Sequence, residues 1–206
     1  TTPAEQAARR RGWLAVAAAV AAVVALAGTV LSGALAVDAV TLASYATVGI
    51  VVYAGLYIGW LVLFGGLTAV ERGRVLAIFV LSMAAAMFWS GFEQAVSTLT
   101  LSAERYTNRV LGSFVIPAGW FQSLNAVFIV VLAPVFAGAW VALASRNREP
   151  STPAKFAIGL VTLALGFAVL IPAAGLVAGG ERVLPTWLIT TYLLHTMGEL
   201  TLSPVG

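Results

Sequence analysis

Long apolar runs separated by short charged segments organise this chain. The runs cover residues 13–36, 41–66, 75–101, 118–144, 154–178 and 185–206. Roughly 20 apolar residues at about 1.5 Å each cross a hydrocarbon layer of about 30 Å, so each of the first five is long enough to span a membrane as a helix. Pro117 and Pro153 stand just before two runs. Pro185 opens the sixth, where the missing backbone donor costs little. Pro134 and Pro172 fall inside runs and predict kinks of the kind membrane helices tolerate when neighbours satisfy the freed carbonyls. The pattern predicts an all-α membrane protein with six transmembrane helices. The sixth run reaches Gly206 without a closing charge, and no signal-peptide pattern follows Thr1. The expectation is an internal piece of a longer protein.

Composition identifies the solvent. Of 206 residues, 61% are hydrophobic and 9% charged, against about 25% charged in a soluble domain. Charge cannot cover a globular surface here, so a soluble fold is excluded. With no cysteine, neither a disulfide framework nor a Cys-ligated metal is open to the chain. The net charge of +3 sets orientation in a lipid bilayer and does not point to nucleic acid. Arg9, Arg10, Arg11, Arg72, Arg74, Arg146, Arg148 and Lys155 fall on one side of the predicted membrane, and Arg105, Arg109 and Arg182 on the other. This bias puts the start of the chain in the cytoplasm of a multi-pass protein of the cell inner membrane or plasma membrane. Residues 1–12 read as a cytoplasmic linker, 13–66 as a hairpin whose small residues suit close packing, and 67–206 as a second helical region.

Polar groups inside the runs carry the candidate chemistry. Glu93 and Glu199 lie in apolar stretches that themselves contain no Lys or Arg. A charged side chain there costs on the order of 2.5–3.5 kcal/mol on insertion scales and marks a functional site by default. Trp89, Glu93 and Ser97 recur at i, i+4 and i+8, which puts them on one face of an unbroken helix. His195, Glu199 and Ser203 do the same, and Gln122 and Asn125 are three apart. One shared water-accessible cavity would satisfy all three helices. The bland alternative is a pair of protonated carboxyls hydrogen-bonded between helices. Other chemistries fit less well. One His and one carboxylate are too few for a metal, and His195 through Glu199 is not a His-Glu-x-x-His helix. Ser90–Gly91 with His195 lacks a visible oxyanion loop. His195 reads as a packed, hydrogen-bonded histidine, no glycine pattern forms a phosphate loop, and an enzyme is not expected.

The same residues carry a family resemblance. Phe88-Trp89-Ser90-Gly91-Phe92-Glu93-Gln94, running on to Ser97-Thr98-Leu99, closely resembles the seventh-helix signature of proton-dependent oligopeptide transporters. Trp120-Phe121-Gln122-Ser123-Leu124-Asn125 is similar to that family's eighth-helix motif. Gly198-Glu199-Leu200-Thr201-Leu202-Ser203-Pro204 is similar to its tenth-helix motif, and Ala103-Glu104-Arg105 to the loop after helix seven. The resemblance covers about residues 75–206. It departs from the pattern at Ala126, where bacterial members often have proline, and at Val96, which replaces a common glycine.

The family is a branch of the major facilitator superfamily, with twelve core helices in two bundles and, in bacteria, two more inserted between them. By this resemblance residues 13–66 are the inserted hairpin, and 67–206 is an incomplete carboxy-terminal bundle of helices seven to ten. It implies proton-coupled import of di- and tripeptides, with protons as coupling ion and no cofactor. Glu93 would couple proton movement and belong to the outer gate. Asn125 and Glu199 would hold the peptide amino terminus, while Trp89, Gln122 and Ser203 would line the pocket. The first-helix Glu-x-x-Glu-Arg motif does not occur: Thr68, Leu101 and Ala178 stand three positions before Glu71, Glu104 and Glu181. The family's basic pocket residues would then come from an amino-terminal six-helix bundle. Alternatives are a non-transporting membrane scaffold that reuses the bundle and a family member carrying a related substrate.

Overall fold

The computed structural model describes residues 3–32 and 38–202 and divides into two units, Thr1–Leu67 and Thr68–Gly206. Five stretches among the described residues are helical, long and apolar enough to cross a membrane: Gly12–Val30, Val40–Phe64, Ala69–Tyr106, Ala118–Ser145 and Thr152–Ala178.

The first unit contains α1 (Pro3–Leu31) and α2 (Ala39–Phe64). Asp38 caps α2 by accepting from the Thr41 N–H and hydroxyl, both at 2.9 Å. These bonds, the backbone one foremost, hold its carboxyl below the ordinary carboxylate range. At the other end Gly65 N–H donates to Leu61 O, and Gly66 takes φ +65°, the left-handed conformation that ends a helix without a Cβ clash. Side chains such as Tyr53, Leu56 and Leu63 are largely exposed, as a lipid-facing surface requires.

The second unit runs α3 (Ala69–Phe92), a 3₁₀ turn at Glu93–Ala95, α4 (Thr98–Tyr106), a hairpin of β1 (Val110–Leu111) and β2 (Phe114–Val115), a 3₁₀ turn at Ala118–Gln122, then α5 (Ser123–Ser145), α6 (Thr152–Ala178) and α7 (Thr186–Leu202). A capping box starts α3: Glu71 N–H donates to Thr68 Oγ1, and Thr68 N–H donates to Glu71 at 2.9 Å. Pro153 sits in the first turn of α6, while Pro134 and Pro172 lie inside α5 and α6.

The innermost element is α7, which packs along α6 and α5, while α3 packs against α6. Glycines bring α6 and α7 together. A Cβ on Gly198 would stand 2.9 Å from the Gly159 carbonyl oxygen, and one on Gly166 would run into the His195 ring. Such close approach is how membrane helices gain packing without a hydrophobic driving force. Leu99, Ala103, Phe121, Leu188 and Tyr192 form a buried cluster.

One expectation is corrected here. The run 75–101 is not one helix, because the backbone leaves the helical ladder between Phe92 and Thr98. Residues 110–115, which fall between the runs 75–101 and 118–144, form a β-hairpin in which Val110 faces Val115 and Leu111 faces Phe114. Gly112, at φ +63°, makes its tight turn. Nearby, Asn108 N–H donates to Val183 O at 2.8 Å and Val183 N–H to Tyr106 O at 2.9 Å, which ties the α6–α7 connection to the end of α4.

Candidate functional site

Asn125 and Glu199 meet across α5 and α7. Asn125 Nδ2 donates to Glu199 Oε2 at 2.9 Å and to Thr196 Oγ1 at 3.1 Å. Thr196 is fully buried and donates to Tyr192 O at 2.8 Å, one turn back, so its hydroxyl both donates and accepts. Asn125 and Glu199 are each half-buried. Two acceptors on Nδ2 fix the amide's orientation, leaving Oδ1 as its acceptor end.

Glu93 sits where α3 stops. It opens the 3₁₀ turn and is exposed. The Glu93 carbonyl accepts from Val96 N–H, and the Gln94 carbonyl from Ser97 N–H, both at 3.3 Å. The Gln94 side chain then accepts from the Thr98 hydroxyl at 2.6 Å and from the Ser97 hydroxyl at 3.4 Å. Such local side-chain bonds give the backbone an alternative to the helical ladder. Trp89, Glu93 and Ser97 therefore do not share one helix face: Trp89 is on α3, Glu93 begins the turn, and Ser97 precedes α4 with φ −116° and ψ −85°. The periodicity was broken by the turn itself.

Glu93, Gln122 and Asn125 line one cavity of about 170 Å³, together with Phe92, Tyr192 and His195. Gln122 Nε2 donates to Thr100 Oγ1 at 2.7 Å, which commits its amide to α4. Trp89 is about half exposed and packs edge-on against Phe92, with ring centroids 5.3 Å apart. Glu199 joins the group through Asn125. Ser203 lies outside the described residues.

His195 is packed as expected, with the Phe167 ring 4.7 Å away and Phe92 at 6.3 Å. Its hydrogen bonding rests on one backbone group. The Leu163 backbone is the partner that faces the ring, at a geometry looser than an ideal hydrogen bond. The notch left by Gly166 holds the imidazole by shape.

Tyr192, Thr196 and Thr100 were not singled out from the sequence. Thr196 and Tyr192 precede Glu199 by three and seven residues, a helical spacing that places all three on one side of α7. A larger cavity of about 420 Å³ lies between α4, α6 and α7, lined by residues such as Leu101, Leu170, Val177 and Leu188. Its lining is mostly apolar, with hydroxyls from Thr98, Ser102 and Thr107, and includes none of the carboxyls.

Residues 46–206 match the sequence profile of the POT family, PTR2. The chain is 43% identical over 193 residues to the peptide transporter YePEPT of Yersinia enterocolitica, covering 93% of this chain and 38% of that one. It is 30% identical over 136 residues to dipeptide and tripeptide permease B of Edwardsiella piscicida, covering 66% and 28%. Among solved structures, the peptide transporter POT in complex with sulfate superposes with a TM-score of 0.77 at 38% identity, covering 100% of this chain and 40% of that one. The chain thus spans well under half the length of these proteins, all of which are transporters.

Proposed function

The chain belongs to the POT family, and from that premise we propose that a protein carrying it imports di- and tripeptides across the cytoplasmic membrane together with protons. The observation that carries this reading is the Asn125–Glu199 pair, held at 2.9 Å inside an apolar bundle. A peptide ammonium brought into a membrane needs acceptors for its protons. A carboxylate and an amide oxygen supply them. Glu93, exposed beside the same cavity, is the proton-coupling carboxyl, and protons are the only coupling species required. Trp89, Gln122 and Ser203 border the bound peptide.

The rest of the machine lies in the other parts of the protein. An amino-terminal six-helix bundle contributes the cations that the stretches bearing Glu93 and Glu199 lack, and residues 13–66 are a hairpin inserted between bundles. The charge bias of the loops supports a cytoplasmic start for the chain.

Recognition of the amino terminus is tested by comparing free and N-acetylated dipeptides on the intact transporter. Removing one partner of a buried charge pair costs about 2–5 kcal/mol, mostly through the charge left unpaired. Glu199→Ala should weaken free dipeptides by that amount and N-acetylated ones little, since a neutral amide needs no carboxylate. Equal losses for both ligand types would assign Glu199 to helix packing instead.

A further inference from the structure

The turn that bears Glu93 is anchored through one backbone oxygen. Ala95 O accepts from the Thr100 hydroxyl at 2.9 Å and from the Tyr192 hydroxyl at 3.2 Å. The two donors come from different elements. Thr100 is on α4, where it also accepts from Gln122 Nε2 at 2.7 Å, and Tyr192 is on α7. The Tyr192 hydroxyl also faces that of Thr100. Gln122 lies three residues before Asn125, and Tyr192 seven before Glu199.

The anchor and the anchored segment differ in rigidity. Tyr192 is 1% exposed within the Leu99, Ala103, Phe121 and Leu188 cluster, whereas Glu93, Val96 and Ser97 are exposed. A buried phenol keeps its place because leaving it unpaired is costly. Of the turn, Ala95 packs against that cluster while its neighbours at 93, 96 and 97 face outward, and segments with so few apolar contacts open first.

We propose that Tyr192 and Thr100 are positioning residues for Glu93: their hydroxyls latch the Ala95 carbonyl and so tie the turn bearing Glu93 to the elements that carry Asn125 and Glu199. A displacement of the turn, as when the charge on Glu93 changes, must break these bonds or drag α7 and the start of α5 with it. The latch thereby links the proton-coupling carboxyl to the ammonium pair without direct contact between them. This rests on the function proposed above for Glu93 and Glu199.

Tyr192→Phe and Thr100→Val each remove one hydroxyl while nearly preserving shape. In the intact transporter reconstituted into liposomes, each should lower proton-driven accumulation of a dipeptide by about fivefold, the worth of one neutral hydrogen bond. Counterflow exchange should stay near wild type. Amide hydrogen exchange of the purified protein should rise across residues 93–101 and stay unchanged in α6. Unchanged exchange at 93–101 in both variants overturns the latch whatever the transport result. Accumulation and counterflow falling together would reduce the two hydroxyls to general stability and also overturn it. A wild-type protein that fails to concentrate any di- or tripeptide, while exchange at 93–101 responds as stated, would sink the proposed function and leave the latch as a structural device.

Discussion

Glu93 and Glu199 are both carboxyls set in apolar stretches, yet their surroundings differ. Glu199 has a fixed amide partner 2.9 Å away and a buried threonine beside it. Glu93 stands exposed at a helix end, so its charge can change without dismantling a buried network. Removing its ability to ionise should therefore uncouple rather than unfold. Glu93→Gln is expected to abolish uptake driven by a proton gradient while sparing counterflow, measured side by side in liposomes. A variant that concentrates peptide as well as the wild type would remove Glu93 from the coupling. At this scale the sequence was partly legible. Intramembrane carboxyls stand out by their cost alone, and the three motifs carried the pairing of Asn125 with Glu199. Thr196 and Tyr192 were hidden, because hydroxyl residues in a membrane helix bond their own backbone as readily as a neighbour, and only tertiary structure says which. His195 was half legible: its burial followed from its apolar run, but the notch at Gly166 that seats its ring is set by tertiary structure.

Helix ends and helix contacts set the next level. Apolar periodicity marks where a helix can exist but assumes that it continues, so residues 75–101 read as one rod and the face shared by Trp89, Glu93 and Ser97 followed wrongly. The local signals for the break were Ser90–Gly91 and the hydroxyl-rich stretch Ser97–Thr100, since Gly/Ser pairs and side chains that bond the backbone are common causes of sharp bends. The two-residue strands of the 110–115 hairpin were too short to show alternation, with Gly112 their only cue. Between α6 and α7 the glycines make a prediction of opposite signs on one helix. A Cβ at Gly166 would meet the His195 ring, including Nε2 at 2.7 Å, and Thr191 O at 3.3 Å, whereas one at Gly175 meets nothing within 4 Å. Gly166→Ala should destabilise the protein by about 1–3 kcal/mol through overpacking. Gly175→Ala should be neutral or stabilising by up to about 1 kcal/mol through helix propensity. Thermal unfolding of the detergent-solubilised protein separates them, and similar shifts for both would mean that the notch does not matter.

The whole molecule was the most legible level, for a physical reason. Bilayer thickness dictates the length of every crossing, so runs of apolar residues report the architecture before any fold is known. Five such stretches recur in the structure, and the innermost helix, α7, is the one that combines apolar residues with Thr191, His195, Thr196, Glu199 and Thr201. That contrast extends to the two units. Unit Thr68–Gly206 gathers Glu93, Gln122, Asn125 and Glu199, while Thr1–Leu67 has no acidic or basic side chain within Val40–Phe64 and shows lipid-suited surfaces on Tyr53, Leu56 and Leu63. A segment whose only polar groups at membrane depth are hydroxyls and an indole, such as Ser44, Thr47, Tyr53, Tyr57 and Trp60, has no carboxylate with which to hold an ammonium or take up a proton. Replacing residues 13–66 with a flexible Gly/Ser linker in the intact transporter should therefore leave dipeptide uptake within a few-fold of normal, provided that the two bundles still assemble, as judged by monodisperse purification. A monodisperse deletion protein that has lost peptide binding would show instead that the hairpin helps to shape the binding site.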